Sequence, residues 1–150
     1  MSNKTELCTF REYYCMGCCL APRKCPTRSE LTAAIKANTV AFKQTKNSKK
    51  FAARENCGET KKCGVCNNQI FKGKKVICPL HPGNNNGKDL RKRKFCEINY
   101  LCPTQEEYNS WDRKLQKEFL AFVKSKKPDW YQYSINIDNG GYLKEFKKNF

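Results

Sequence analysis

Apolar positions recur along this chain in patterned stretches, separated by polar, glycine-rich or basic segments. Leu31, Ala34, Ile35, Ala41 and Phe42 repeat at helical spacing with an interruption at Asn38, and Thr27-Arg-Ser-Glu30 ahead of them has capping-box spacing. A helix is predicted over about residues 28–45. The lysine-rich continuation to Arg54 reads as a second, shorter helix or a basic connector. From Gln69 to Ile77, two short β-prone runs flank Gly73, which predicts a hairpin. Tyr108, Trp111, Leu115, Phe119 and Phe122 then recur at steps of three and four behind a second capping-box match, Thr104-Gln-Glu-Glu107. That pattern predicts an amphipathic helix over about residues 105–126, with Lys124, Lys126 and Lys127 at its negative end and Pro128 stopping it. Trp130 to Ile137 alternates like a strand, Asp138-Asn-Gly-Gly141 reads as a turn, and Tyr142 to Phe146 closes the chain as the second arm of a short hairpin.

These elements predict a small α+β fold in two parts. Residues 1–103 form a basic, cysteine-rich region with one helix, and residues 104–150 form an amphipathic helix with a β-hairpin packed on it. Hydrophobic residues make up only 39% of the 150, and eleven of them are cysteines. A chain this polar buries too little apolar surface to offset its conformational entropy, so the fold is expected to be stapled.

The choice lies between disulfides and metal. Met-Ser-Asn-Lys-Thr-Glu-Leu-Cys has no apolar run of signal-peptide length, and no segment approaches the roughly 18 apolar residues of a membrane span. The expectation is a cytoplasmic protein with no membrane partner, where clustered cysteines serve as metal ligands. Eleven cysteines and one histidine are enough for two or three four-ligand zinc sites.

The central motif is Cys63-Gly-Val-Cys66 followed by Cys78-Pro-Leu-His81: two donor pairs, each with a two-residue gap, on a short connector. Such spacing aims four donors at one tetrahedron, a pair of zinc knuckles, with Cys57 as the replacement donor if His81 points to solvent. A first cluster holds Cys8, Cys15, Cys18, Cys19 and Cys25, where Gly17 permits the tight turn within Cys15-Met-Gly-Cys18. Cys96 and Cys102 are expected to return and complete that cluster as one or two further sites.

Charge then adds a partner. Residues 1–94 carry 21 Lys and Arg against 6 Asp and Glu, net +15, whereas residues 95–150 are net +1. A basic field of this size favours a polyanion, either nucleic acid or an acidic protein. Lys88, Arg91, Lys92, Arg93 and Lys94 form its densest run and are the candidate contacts for weak, sequence-independent nucleic-acid binding.

Cys15-x2-Cys18-Cys19, the downstream Cys78-Pro-Leu-His-Pro82, and Leu90-Arg91 with Cys96 and Cys102 together resemble the bacterial CxxCxxCC cysteine-cluster proteins, the YkgJ-like family, over roughly residues 8–102. The family has two further cysteines at three-residue steps before the doublet, whereas here Cys8 stands seven residues before Cys15. The resemblance implies chelation of zinc or iron and no particular activity. Iron, as an iron–sulfur cluster in residues 8–25 of a redox or enzymatic protein, is the alternative to zinc, although no spacing matches the ferredoxin runs. There is no phosphate-binding glycine loop and no serine elbow, so a non-enzymatic role is expected.

Overall fold

The computed structural model describes residues 5–10, 13–19, 27–91, 96 and 100–149, with Phe10 and Cys18 described in backbone only. In chain order the elements are β1 (Thr9–Phe10), β2 (Tyr13–Tyr14), α1 (Arg28–Thr45), α2 (Ser48–Ala52), β3 (Ile70–Lys72), β4 (Lys75–Ile77), α3 (Pro103–Ser110), α4 (Arg113–Ser125), α5 (Trp130–Asp138) and α6 (Gly141–Lys147). Single 3-10 turns lie at Glu6–Cys8, Gly17–Cys19 and Pro82–Asn84. The fold is small α+β, with β1 paired to β2 and β3 to β4 in separate antiparallel ladders. The chain divides into two compact units, Met1–Gly17 with Leu101–Phe150, and Cys18–Tyr100. The first seventeen residues thus belong with the C-terminal helices, not with the cysteine-rich region as the sequence suggests.

The first unit is built on aromatic packing. Tyr108, Phe119, Leu120, Val123, Tyr133, Ile137, Tyr142 and Phe146 form its core together with Leu7 and Cys15. The Phe119 and Phe146 rings meet edge-on at 5.2 Å, as do Trp111 and Phe119 at 5.6 Å, the arrangement that ring quadrupoles favour. Polar contacts pin the N-terminal segment to this core. Leu7 N–H donates to Gln105 Oε1 (2.9 Å), Tyr133 OH donates to Leu7 O (2.6 Å), and Glu6 accepts from Tyr108 OH and Arg113.

Two expectations fail in this unit. The single helix over 105–126 is two helices, because Trp111 is extended and Asp112 starts a new one by accepting the Leu115 N–H (2.8 Å). The first of them begins at Cys102-Pro103, not at a Thr104 capping box: Cys102 Sγ accepts the Gln105 N–H, and Thr104 donates to Ile137 O (2.7 Å). The predicted C-terminal hairpin is the helix pair α5 and α6. Asp129 and Gln132 form a reciprocal capping box, and Tyr133 and Ile137, four apart, are both buried, so helical period prevails over the apparent alternation. The predicted turn is retained as the link between them, with Gly140 at φ 77.

In the second unit α1 runs as predicted from an N-cap at Thr27, with Glu30 completing the capping box. Its buried face presents Leu31, Ile35 and Asn38 to β3 and the segment before it. Asn38 completes this face by donating through Nδ2 to Gln69 O (2.9 Å) and Cys66 O (3.3 Å), so it anchors the cysteine loop. The lysine-rich continuation is the short helix α2, whose Phe51 is fully buried and meets Phe42 edge-on at 5.2 Å. The β3–β4 hairpin forms as predicted, with Gly73 in the left-handed region at φ 62.

Candidate metal centre

Backbone pairing in the second unit brings distant cysteines together. After α2 the chain turns through Arg54 and Cys57, and Gly58 at φ 85 sends it back. The Asn67 N–H donates to Glu59 O (2.8 Å) and Thr60 pairs with Cys66, so residues 57–60 and 66–68 run antiparallel. One residue then addresses both sulfurs: the Asn68 N–H donates to Cys66 Sγ (3.5 Å) and Asn68 Nδ2 donates to Cys57 Sγ (3.5 Å). The hairpin register, Ile70 opposite Ile77, returns the chain so that Cys78 follows directly beside Gln69. The His81 N–H donates to the Cys78 carbonyl (3.1 Å), which turns the chain just after Cys78. A further bond, Leu90 N–H to Leu80 O (3.0 Å), ties the segment before Arg91 to the loop after Cys78.

Cys57 and Cys78 are buried, and Cys66 and Cys96 are half-buried. Burial pushes the Cys66 thiol up to about 11, with Cys96 and Cys57 as its electrostatic neighbours. Burial likewise pushes Cys78 up to about 12, beside Cys66 and Cys96. Cys66 thus has Cys57, Cys78 and Cys96 as electrostatic neighbours, and Cys78 has Cys66 and Cys96. Backbone donors on Cys66 and Cys78 oppose burial by favouring the thiolate. Two guanidinium groups flank the cluster. Arg54, stacked on Phe51 at 3.5 Å, donates through Nη2 to Asn68 Oδ1 (2.5 Å) and feels Cys57, Cys66 and Cys78. Arg91 feels Cys96 and Cys78 but is bound in two places to Asp89, at 2.9 and 2.8 Å.

Among the described residues, no group of three or more His, Cys, Asp or Glu side chains is arranged to hold a metal ion. The set Cys63, Cys66, Cys78 and His81, all described, is thus not assembled as a closed site. Two local reasons are visible. His81 Nδ1 accepts the Gly83 N–H (3.0 Å) and caps the 3-10 turn at Pro82, and burial together with Arg91 lowers its affinity for a proton. Cys63 lines an open pocket with Glu30 and Ala34 of α1 and with Lys61 and Lys62. Cys19 backs onto the loop, its carbonyl accepting the Cys66 N–H (2.8 Å) and its Sγ accepting from Gln69 Nε2 (3.1 Å).

The N-terminal cluster is divided between the two units. Cys8, Cys15 and Cys102 lie in the other unit, in electrostatic reach of the buried Tyr133 hydroxyl. Cys25 and the side chain of Cys18 are outside the described residues. Of the basic run, Lys88 is exposed, Arg91 is committed to Asp89 with its side chain 17% exposed, and Lys92, Arg93 and Lys94 are outside the described residues. Arg54 and Asn68 are the site residues that the sequence reading missed. Asn68 carries a recognisable signal, two residues beyond a cysteine where a turn can aim its N–H at sulfur. The chain matches no family model, no curated protein and no solved structure.

Proposed function

We propose that this protein binds a structural zinc ion through Cys57, Cys66, Cys78 and Cys96, and that the basic surface of the same unit engages nucleic acid. The observation that carries the zinc reading is Asn68, whose N–H and Nδ2 donate to Cys66 Sγ and Cys57 Sγ, with Cys78 and Cys96 as electrostatic neighbours of Cys66. Four soft donors with no carboxylate among them fit zinc, and N–H groups on the sulfurs with a guanidinium alongside offset the charge of a tetrathiolate. A common ion would have to draw the sulfurs together, since the described side chains are not arranged as a closed site as they stand. Zinc would deprotonate the thiols and supply folding free energy to a unit whose apolar core is small. Cys63 and His81 stay outside this set.

The unit of residues 18–100 carries 19 Lys and Arg against 5 Asp and Glu, net +14. Lys72 and Lys74 at the hairpin tip and Lys88 beyond it are exposed, which suits sequence-independent contact with phosphates. Metal analysis of the purified chain tests the centre: one zinc is expected from this unit, lost in both Cys66→Ser and Cys78→Ser and kept in Cys63→Ser. Unchanged zinc in Cys78→Ser overturns the assignment, and an iron content would replace zinc with the iron reading.

A further inference from the structure

The strand register of the other unit places two cysteines face to face. Thr9 stands opposite Tyr14 and Phe10 opposite Tyr13, so one step further along the same ladder Cys8 stands opposite Cys15. The Cys15 N–H donates to the Cys8 carbonyl at 3.0 Å, which fixes that pairing. The Cys8 N–H turns instead to Thr5 O (2.9 Å), so one bond holds the pair; directly opposed residues of an antiparallel ladder have Cα atoms about 4.5–5.5 Å apart. That spacing falls within the disulfide range of about 4.4–6.8 Å. Directly opposed residues of an antiparallel pair project to the same face, so the two side chains share one side of the ladder.

From this geometry we infer that Cys8 and Cys15 form an oxidisable dithiol, a modification site for small-molecule disulfides that is separate from the zinc centre. Cys8 is the half-buried, accessible member, and Cys15 is buried. Cys15 Sγ accepts the Gly17 N–H at 3.4 Å and donates to the Ser134 carbonyl at 3.8 Å, contacts that hold it in place as the second nucleophile. In the first step the Cys8 thiolate attacks one sulfur of a disulfide such as oxidised glutathione, forming a mixed disulfide and expelling one glutathione thiolate. In the second step the Cys15 thiolate attacks the Cys8 sulfur, closes the Cys8–Cys15 bond and expels the other. Two electrons pass to the small disulfide, and the two protons leaving the protein thiols end on two glutathione molecules.

Exposure of the full zinc-loaded chain to oxidised glutathione, followed by alkylation and tandem mass spectrometry, tests the pairing. Trypsin cleaves after Arg11, between the two cysteines, so the disulfide reports as two cross-linked peptides. The expected first product links Cys8 to Cys15, and in Cys8→Ser that product is absent while no other pair takes its place at the same rate. A first disulfide to Cys102, or to a cysteine of the zinc centre, overturns the inference, as does full alkylation of both thiols after oxidation. Because Cys8 is half-buried and lies outside the zinc set, zinc content of Cys8→Ser separates failure here from failure of the metal reading.

Discussion

Arg54 and Asn68 form a hydrogen-bonded pair beside the thiols: the guanidinium donates to Asn68 Oδ1, and the same amide donates from Nδ2 to Cys57 Sγ. Arg54 is itself fixed by Nε to Phe51 O (2.9 Å) and by its stacking on the Phe51 ring, so a rigid cation sits one amide away from the sulfur. Outer partners of this kind typically tune metal affinity by about 10–100-fold. Asn68→Ala and Arg54→Met are therefore expected to weaken zinc binding by about tenfold or more in a competition titration with a chromophoric chelator, with the metal still bound at saturation. Unaltered affinity in both would mean that the pair serves only the loop.

The raised thiols at Cys66 and Cys78 give the metal-free protein a particular pH dependence. Each binds its proton more tightly folded than unfolded, so its stabilising contribution is complete below the ordinary value of 9.0 and is lost as pH rises from there toward about 11 and 12. Urea midpoints of metal-free protein should fall over that window, and zinc-loaded protein, whose sulfurs are already thiolates, should not follow. At pH 7 the two neutral thiols must release their protons to zinc, so calorimetry in buffers of different ionisation enthalpy should detect at least two protons per ion.

Arg91 belongs to the densest basic run, yet its guanidinium is held by Asp89 and largely covered. The log–log salt slope of nucleic-acid binding should thus be unchanged in Arg91→Ala. Replacing exposed Lys72 and Lys74 together should flatten it by about 2, the loss of two phosphate contacts. Fluorescence anisotropy with a labelled oligonucleotide at several salt concentrations reads both. Binding to neither RNA nor DNA would favour an acidic protein partner or a chelation role instead.

The sequence was most readable where local signals agreed. Thr27 and Glu30 cap an apolar stripe broken only at Asn38, and Gly73 splits two β-prone runs, so α1 and the β3–β4 hairpin can be placed closely. From Trp130 to Ile137 the aromatic content and alternation suggested strand, but the Asp129 and Gln132 capping box, three residues apart, was the stronger local cue for helix. The cysteines could be read as donors from spacing alone. Their grouping could not, because the approach of Cys57 to Cys66 depends on the pairing of Thr60 with Cys66, and that of Cys78 on hairpin register. Arg54 lay at the end of a lysine-rich run and looked like one more solvated charge.

Gly17 was expected to serve a turn between cysteines; its tighter constraint comes from α5. A Cβ at this position would stand 2.3 Å from Asp138 Cβ and 2.7 Å from its Cγ, at the last residue of that helix. The neighbouring Met16 N–H is held by Ser134 Oγ (3.1 Å) on the same helix, so the segment cannot withdraw without breaking that bond. Gly17→Ala should therefore destabilise this unit by about 1–3 kcal/mol, the usual cost of overpacking a closed contact. Gly73→Ala is the matched control, since nothing lies within 4 Å of its Cβ and only the φ of +62 is strained. Its cost should stay near about 1 kcal/mol. Urea titrations of the two variants, each followed by a probe in its own unit, decide the point. If Gly17→Ala is no worse than Gly73→Ala, the Asp138 end of α5 yields readily and the close approach is not a constraint on the fold.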